Sequence, residues 1–317
     1  MRKGQNPAKS VDGVANPEKI TVAVLNYIPF IGGFYAEMLN VLKACLGSIW
    51  QNSDLPYDLL VFDNGSCKEA DDFLQESERE GKIQYLILSE KNLGKGGAWN
   101  IMLQAAPGDI VAYGDNDVYY YPNWLSNSID VLESFPNVGM VTSRPFRTDE
   151  KFSSHTVDWA QSTPGVALER GNFIAWETFR DFEMSLGTSE AEARQRYETK
   201  QDIRITYKGK KAHVGASHWQ FVTRKSILQQ FLPFDMSRPM GQVRQLDDKM
   251  NQAGFLRLMP PEPYVQNMSN QTDLAPDLEK AASKPHLSLK KRLLNQRLIK
   301  AGLLKLHHAI FEAYYSQ

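Results

Sequence analysis

Asp115-Asn116-Asp117 follows an apolar run, Asp109–Tyr113, and precedes a helical pattern opened by Pro122. Two carboxylates at i and i+2 on a turning backbone can approach one divalent cation, and that cation can bridge two phosphate oxygens of a nucleotide. The same tripeptide equally reads as a polar turn whose Asp and Asn side chains cap the local backbone. An EF-hand is excluded, because Tyr120 stands where its loop needs glycine and Ser126 where it needs glutamate. Two more polar clusters end apolar runs. Asp63-Asn64-Gly65-Ser66 offers a carboxylate to a base or ribose beside a glycine that permits a tight turn. Asn92-Leu93-Gly94-Lys95-Gly96-Gly97 offers glycines that let the backbone approach a ligand, with Lys95 at a helix start where a phosphate can be met. Each cluster alone is an ordinary turn. Three of them at the ends of successive strands point to one shared ligand.

The elements that must position these residues are four β-rich runs, Ile20–Asn26, Asp58–Asp63, Ile83–Leu88 and Asp109–Tyr113. They are nearly continuous in apolar character, which suits parallel strands buried on both faces. Met38, Leu42, Cys45, Leu46 and Ile49 recur at helical spacing after the first run, and Trp99, Met102, Leu103 and Ala106 before the fourth. The spacing leaves room for one right-handed crossover helix between consecutive strands. A further helix over PNWLSNSIDVLESF and a fifth strand at Val138–Ser143 follow. Beyond Arg144 the regularity fades: residues 169–200 read as acid-rich helix, Gln220–Phe231 and Gln245–Ala253 as further helices, and Ser288–Tyr315 as one long helix.

Composition narrows the class. The 317 residues are 42% hydrophobic and 23% charged, as in a folded protein. The net charge of −1 conceals an asymmetry, since residues 284–317 hold seven basic residues against Glu312 alone and the preceding 283 carry −7. A chain-wide basic footprint is absent, so nucleic acid is not an expected partner. Cys45 and Cys67 alone, without a CxxC pair, exclude a disulfide framework and a cysteine-rich zinc site and favour a reducing compartment, the cytoplasm. The polar N-terminus has no signal-peptide core, and the longest uncharged stretch, Ile20 to Ala36, is interrupted by Asn26, Pro29, Gly32 and Gly33. Dinucleotide and Walker fingerprints are absent.

The order TVAVLNY, LLVFDNGS, NLGKGGAWN, DIVAYGDNDVYYYPNWL over residues 20–145 resembles the nucleotide-sugar-binding half of GT-A-fold glycosyltransferases, and is most similar to glycosyltransferase family 2. The resemblance implies an α/β fold with a Rossmann-like, mostly parallel central sheet flanked by helices, a helical acceptor-side region and a C-terminal helix. It implies that Asn26 or Tyr27 and Asp63 contact the nucleoside, that Lys95 and its neighbours Asn92, Gly96 and Asn116 lie near the donor, and that Asp115 and Asp117 hold a metal-diphosphate through Mn2+ or Mg2+. The implied activity is transfer of a hexosyl or deoxyhexosyl group from a nucleotide-sugar to a glycan or lipid-linked acceptor hydroxyl, with inversion, as in polysaccharide biosynthesis. A retaining transferase and a non-catalytic sugar-nucleotide-binding protein are the alternatives.

The acceptor side departs from the family. Its acidic pair is sought in Leu246-Asp247-Asp248-Lys249, closer to Gly254 than the usual spacing, which falls on Gln242 and Val243. Asp247 is the first choice of catalytic base and Asp248 the second. Both also suit the solvated first turn of a helix. Asn267 stands where relatives place a metal-binding histidine and is the candidate third ligand, with His213 and His218 as substitutes or as structural histidines. Trp219 reads as a sugar-stacking face or as core. The expected organisation is a disordered lead (1–18), the donor half (19–145), the acceptor half (146–275) and a basic amphipathic tail (276–317). That tail suits the inner face of a membrane, a second subunit or the catalytic body itself.

Overall fold

The computed structural model describes residues 4–6, 8, 11, 13–235 and 244–272. The C-terminal tail, Gln242, Val243 and part of the lead lie outside the described residues. The chain runs β1 (Ile20–Asn26), α1 (Met38–Asn52), β2 (Asp58–Asp63), α2 (Lys68–Arg79), β3 (Tyr85–Leu88), α3 (Gly94–Ala105), β4 (Ile110–Asp115), β5 (Val118–Tyr120), α4 (Trp124–Ser134) and β6 (Val138–Val141). It continues through α5 (Ser154–Ser162), β7 (Val166–Gly171), α6 (Trp176–Ser185), α7 (Glu190–Thr199), β8 (Asp202–Tyr207), β9 (Lys210–Val214), β10 (Gln220–Arg224), the single turn α8 (Lys225–Leu228), α9 (Arg244–Gln252), β11 (Leu256–Met259) and β12 (Val265–Asn267).

Ten strands form one sheet in the order β3-β2-β1-β4-β10-β6-β11-β9-β8-β7, and β12 pairs with β5 in a second, two-stranded sheet. The first four are parallel, joined by α1, α2 and α3. Successive side chains of a strand point to opposite faces, and the near-continuous apolar runs divide accordingly. Val22, Val24, Leu59, Val61 and Ala112 pack in a core with residues of α1, α2 and α4. Ala23, Leu25, Leu60, Phe62, Val111 and Tyr113 pack in a second core with residues of α3, α8 and α9. Burial on both faces fixes the register. Asn26 lies opposite Asp63, and Leu25 opposite Asp115, so the polar ends of β1, β2 and β4 meet at one edge of the sheet.

Two expectations are corrected in the second half. Gln220–Phe231 is not one helix: Gln220–Arg224 is β10, antiparallel to β4 on one side and β6 on the other. Phe221 and Val222 are both fully buried, in the two different cores, so a strand covered on both faces shows the apolar density of a buried helix. Residues 169–171 likewise belong to β7, which pairs with β8 in an antiparallel meander, while α6 and α7 supply the expected helical content.

β9 carries a buried histidine. His213 is 2% exposed, and burial lowers its imidazole from the usual 6.5 to about 4. The unfolded chain takes up this proton below 6.5 and the folded chain not until about 4, so stability falls as pH drops through that window. His213→Gln is expected to remove this component, on the order of 3 kcal/mol over the full window, which urea midpoints at neutral pH and near pH 4 will measure.

Candidate functional site

The ends of β1, β2 and β4 are tied together by amides. Asn26 donates to Ser66 Oγ (3.1 Å) and accepts from Asn116 Nδ2 (2.6 Å). It is fully buried. Asn26 and Asn116 therefore hold β1 to the turn after β4, and the Asn26 amide is enclosed among protein partners, which leaves Tyr27 the more open of the two residues expected at the nucleoside. Asn116 is likewise buried, with its amide nitrogen turned to Asn26. Asn64 has the same role for the next loop. It donates to Asn92 Oδ1 (3.0 Å) and accepts from Leu93 N–H (2.9 Å), and Asn92 Oδ1 also caps Gly94 N–H (2.8 Å). Asn92 thus shapes the entry to α3, with Gly96 buried in that helix's first turn. Gly65 needs its positive φ of 83° here, and a Cβ would sit 3.0 Å from the Lys91 carbonyl carbon.

Asp63 accepts from Ser66 N–H with both oxygens (3.2 and 3.1 Å), and burial pushes its carboxyl up while Ser66 opposes the rise. Tyr27 stands beyond Asn26, half-buried, with its ring edge-on to Tyr35.

Lys95, in the first turn of α3, places Nζ 2.7 Å from Asp115. Its ammonium also lies 5.4 Å from the Trp99 ring centre and 5.6 Å from that of Tyr113. Tyr113 donates its hydroxyl to the same carboxylate. Asp115 is thereby served with a cation and a hydroxyl, whereas Asp117 is not. Oδ1 of Asp117 is buried without a hydrogen-bond partner. Burial first and the Asp115 charge second push this carboxyl up to about 7, with Lys95 and Asn267 opposing. The same two carboxylates add to burial in raising the nearby Cys45 thiol. The pocket is short of positive charge, as residues that await a cation would be.

The chain's oxygens fit such a cation at two positions. Asn267, carried on β12 opposite Val118, directs its amide carbonyl to Ser269 N–H (2.8 Å) and a side-chain hydrogen bond to Asp117. Asn267 thus steadies Asp117 through a side-chain hydrogen bond while its amide oxygen accepts from Ser269 N–H. Of the other candidates, His213 faces a separate cavity and His218 binds Asp247 through Nδ1. Among the described residues no group of three His, Cys, Asp or Glu side chains is placed to hold a metal. Asp115 and Asp117 remain the pair.

The approach to this turn is tight at Gly114. A Cβ there would fall 2.0 Å from the Tyr120 hydroxyl, which is itself buried and unpartnered. Gly114→Ala is expected to cost about 1–3 kcal/mol by overpacking, and Tyr120→Phe, which removes the offending oxygen, to restore most of it. Denaturant midpoints of the three variants decide this.

On the other side of the turn lies a cavity of about 370 Å3 whose lining includes Phe182, His218, Trp219, Asp247, Arg257 and Asn267. Asn267 connects it to Asp117, and the Trp219 carbonyl accepts from Asp115 N–H (3.0 Å). Trp219 leans on Phe182, and its Nε1–H is buried without a partner. Asp247, on the first turn of α9, is 5% exposed rather than solvated. One oxygen lies 2.6 Å from His218 Nδ1 and the other 2.9 Å from the Arg257 guanidinium, which is itself 1% exposed. Asp248 is half-buried and does not line the cavity, so the second choice of base is not brought to it. The His218–Asp247 pair spans 29 positions of sequence and was not legible from either residue.

The family model described as Glycosyl transferase family 2 matches residues 33–229. That span carries Asp63, Lys95, Asp115, Asp117 and His218 and ends before Asp247. An uncharacterized glycosyltransferase of Nostoc sp. (strain PCC 7120) is 24% identical over 163 residues, 50% of this chain and 47% of the relative. One of Methanocaldococcus jannaschii is 26% identical over 117 residues, 37% of this chain and 40% of the relative. The aligned chain thus spans less than half the length of these curated relatives. Among solved structures, a mannosyltransferase from Pyrobaculum calidifontis in complex with GDP-Man and Mn2+ has a TM-score of 0.47 at 17% identity, over 78% of this chain and 55% of that one. With the family model matching well over half of its residues, the chain belongs to glycosyltransferase family 2, and its α/β sheet flanked by helices is the GT-A architecture.

Proposed function

We propose that the protein transfers a sugar from a nucleotide-sugar to a hydroxyl of a glycan or lipid-linked acceptor, with Mn2+ or Mg2+ and with inversion at the anomeric carbon. The observation that carries this reading is the pairing of a carboxylate short of positive charge, Asp117 beside Asp115, with an adjoining cavity in which a partly exposed His218 is held by a buried Asp247. Asp115 and Asp117 would hold the metal. When bound, it supplies the positive charge that neutralises the departing diphosphate. Lys95 adds a cation at the start of α3, and Asp63 accepts hydrogen bonds from the nucleoside.

On the acceptor side, Asp247 fixes the His218 ring through Nδ1, which leaves Nε2 to take the hydroxyl proton. Asp247 itself is enclosed between His218 and Arg257, so it acts through the histidine. As the proton goes to His218, the acceptor oxygen bonds to the anomeric carbon and the carbon–oxygen bond to the diphosphate breaks, its electron pair leaving with the diphosphate. Direct displacement inverts the configuration. Trp219 offers an indole N–H and a ring face to the acceptor sugar.

A thermal-shift screen of UDP-, GDP- and dTDP-sugars, with and without Mn2+ or Mg2+, tests the donor half, because a ligand selective for the folded state raises the melting point. A metal-dependent rise with one of them is expected. No rise with any would sink the scheme, and a product of retained configuration would sink the inverting assignment. Among the described residues no helix is long and apolar enough to cross a membrane.

A further inference from the structure

A second cavity, of about 250 Å3, lies beyond the first and shares Phe146, Arg147 and Thr148 with it. Its lining draws on the loop after β6 and on β7, β8 and β9. Three ion pairs are set into its wall. Arg147 binds Asp202 in a buried contact, Arg170 lies 3.0 Å from Glu150, and Lys200 lies 3.2 Å from Asp149. Arg147 is fully committed, since it also donates to the Tyr197 carbonyl (2.7 Å) and Asn172 Oδ1 (3.0 Å). Three cations thus face three carboxylates, and the cavity offers no surplus charge of either sign. A phosphate or a carboxylate would find no counter-ion there.

His213 lines this cavity, 2% exposed, with Nδ1 unpartnered. The ring is held by a hydrogen bond to the Ile203 backbone, and burial keeps it neutral at ordinary pH. A neutral imidazole nitrogen without a partner is an acceptor, and burying it unsatisfied costs stability unless a donor arrives. The donor must be uncharged to suit the balanced wall. Phe146, Ile174 and Val214 add an apolar surface beside these polar groups. Uncharged hydroxyls together with C–H faces are the chemistry of a neutral saccharide.

We propose that this cavity is a second saccharide subsite, which receives a neutral sugar unit of the acceptor one position removed from the unit at His218 and Trp219. The acceptor is then a glycan of at least two units, not a lone alcohol. This rests on the glycosyltransferase reading above and deepens it.

The test is ligand-observed NMR on the full chain with methyl hexosides, methyl N-acetylhexosaminides, maltose, cellobiose, lactose and chitobiose as probes. At least one disaccharide should bind more tightly than its monosaccharide, and His213→Phe should weaken it roughly tenfold, the loss of about one hydrogen bond. The rim variant Glu150→Ala/Arg170→Ala, at positions that are 48% and 40% exposed at the side chain, should weaken it as well and guards against a folding defect at His213. The imidazole nitrogen resonance of His213 should shift on adding that disaccharide. Equal binding in wild type and both variants, or no saccharide binding at all, would overturn the subsite. Donor-sugar hydrolysis by the same samples separates the two levels: turnover with His213-independent saccharide binding removes this inference alone, whereas absent turnover and absent donor binding remove the underlying function.

Discussion

Asp117→Asn will make the protein more stable without metal and roughly 10²–10³-fold less active with it, the scale of removing one preorganised stabiliser of transition-state charge. The two effects share one cause. Asp117 Oδ1 is buried with no partner, and its carboxyl is pushed up to about 7 by burial and by Asp115. Holding it ionised at neutral pH without a cation costs folding free energy, of which a neutral amide relieves the charged part. Unsatisfied buried polar groups cost about 1–3 kcal/mol, and each kcal/mol recovered raises the melting point of a domain of this size by roughly 2–4 °C. Melting curves should therefore rank the variant above wild type in chelator. Excess Mn2+ should reverse the order, because it stabilises only the form that binds it. A variant no more stable than wild type in chelator would mean that the pocket is not short of positive charge. Unchanged transfer would remove Asp117 from the donor site.

The residues of that pocket were legible because they punctuate strands. β1 and β2 have the boundaries expected from ITVAVLN and DLLVFD, since runs buried on both faces admit few alternatives and end where a carboxylate or amide must meet solvent or a partner. What the side chains do there was harder to read. Asn26 and Asn116 lie in the expected cluster, yet they bind each other, because the register of three strands rather than their spacing decides which way they point. The meander β7–β9 was illegible for another reason. Glu169 and Arg204 stand opposite each other across β7 and β8 and form an exposed ion pair at 3.0 Å, so the charges that look helical in sequence satisfy one another across strands. Asp247 read as a solvated helix start because its two partners, His218 and Arg257, come from a loop and a strand that sequence proximity does not join to it.

The same burial separates two variants that a surface carboxylate would not distinguish. His218→Gln should lower kcat by about 10²–10⁴-fold, the usual contribution of a positioned base, and leave the melting point near that of wild type, since His218 is partly exposed at its side chain. Asp247→Asn should lose activity and also destabilise the fold by about 3–5 kcal/mol, because it leaves the Arg257 guanidinium buried without its carboxylate. Burial already lowers the pKa of Arg257, with Asp247 first among the charges that oppose this. In kcat the double variant should fall no further than His218→Gln alone, since residues that act as a unit are not additive. Its melting point should follow Asp247→Asn. If His218→Gln kept wild-type kcat while Asp247→Asn lost it, the carboxylate would be acting on the acceptor directly. If both kept it, the cavity would bind acceptor without supplying the base.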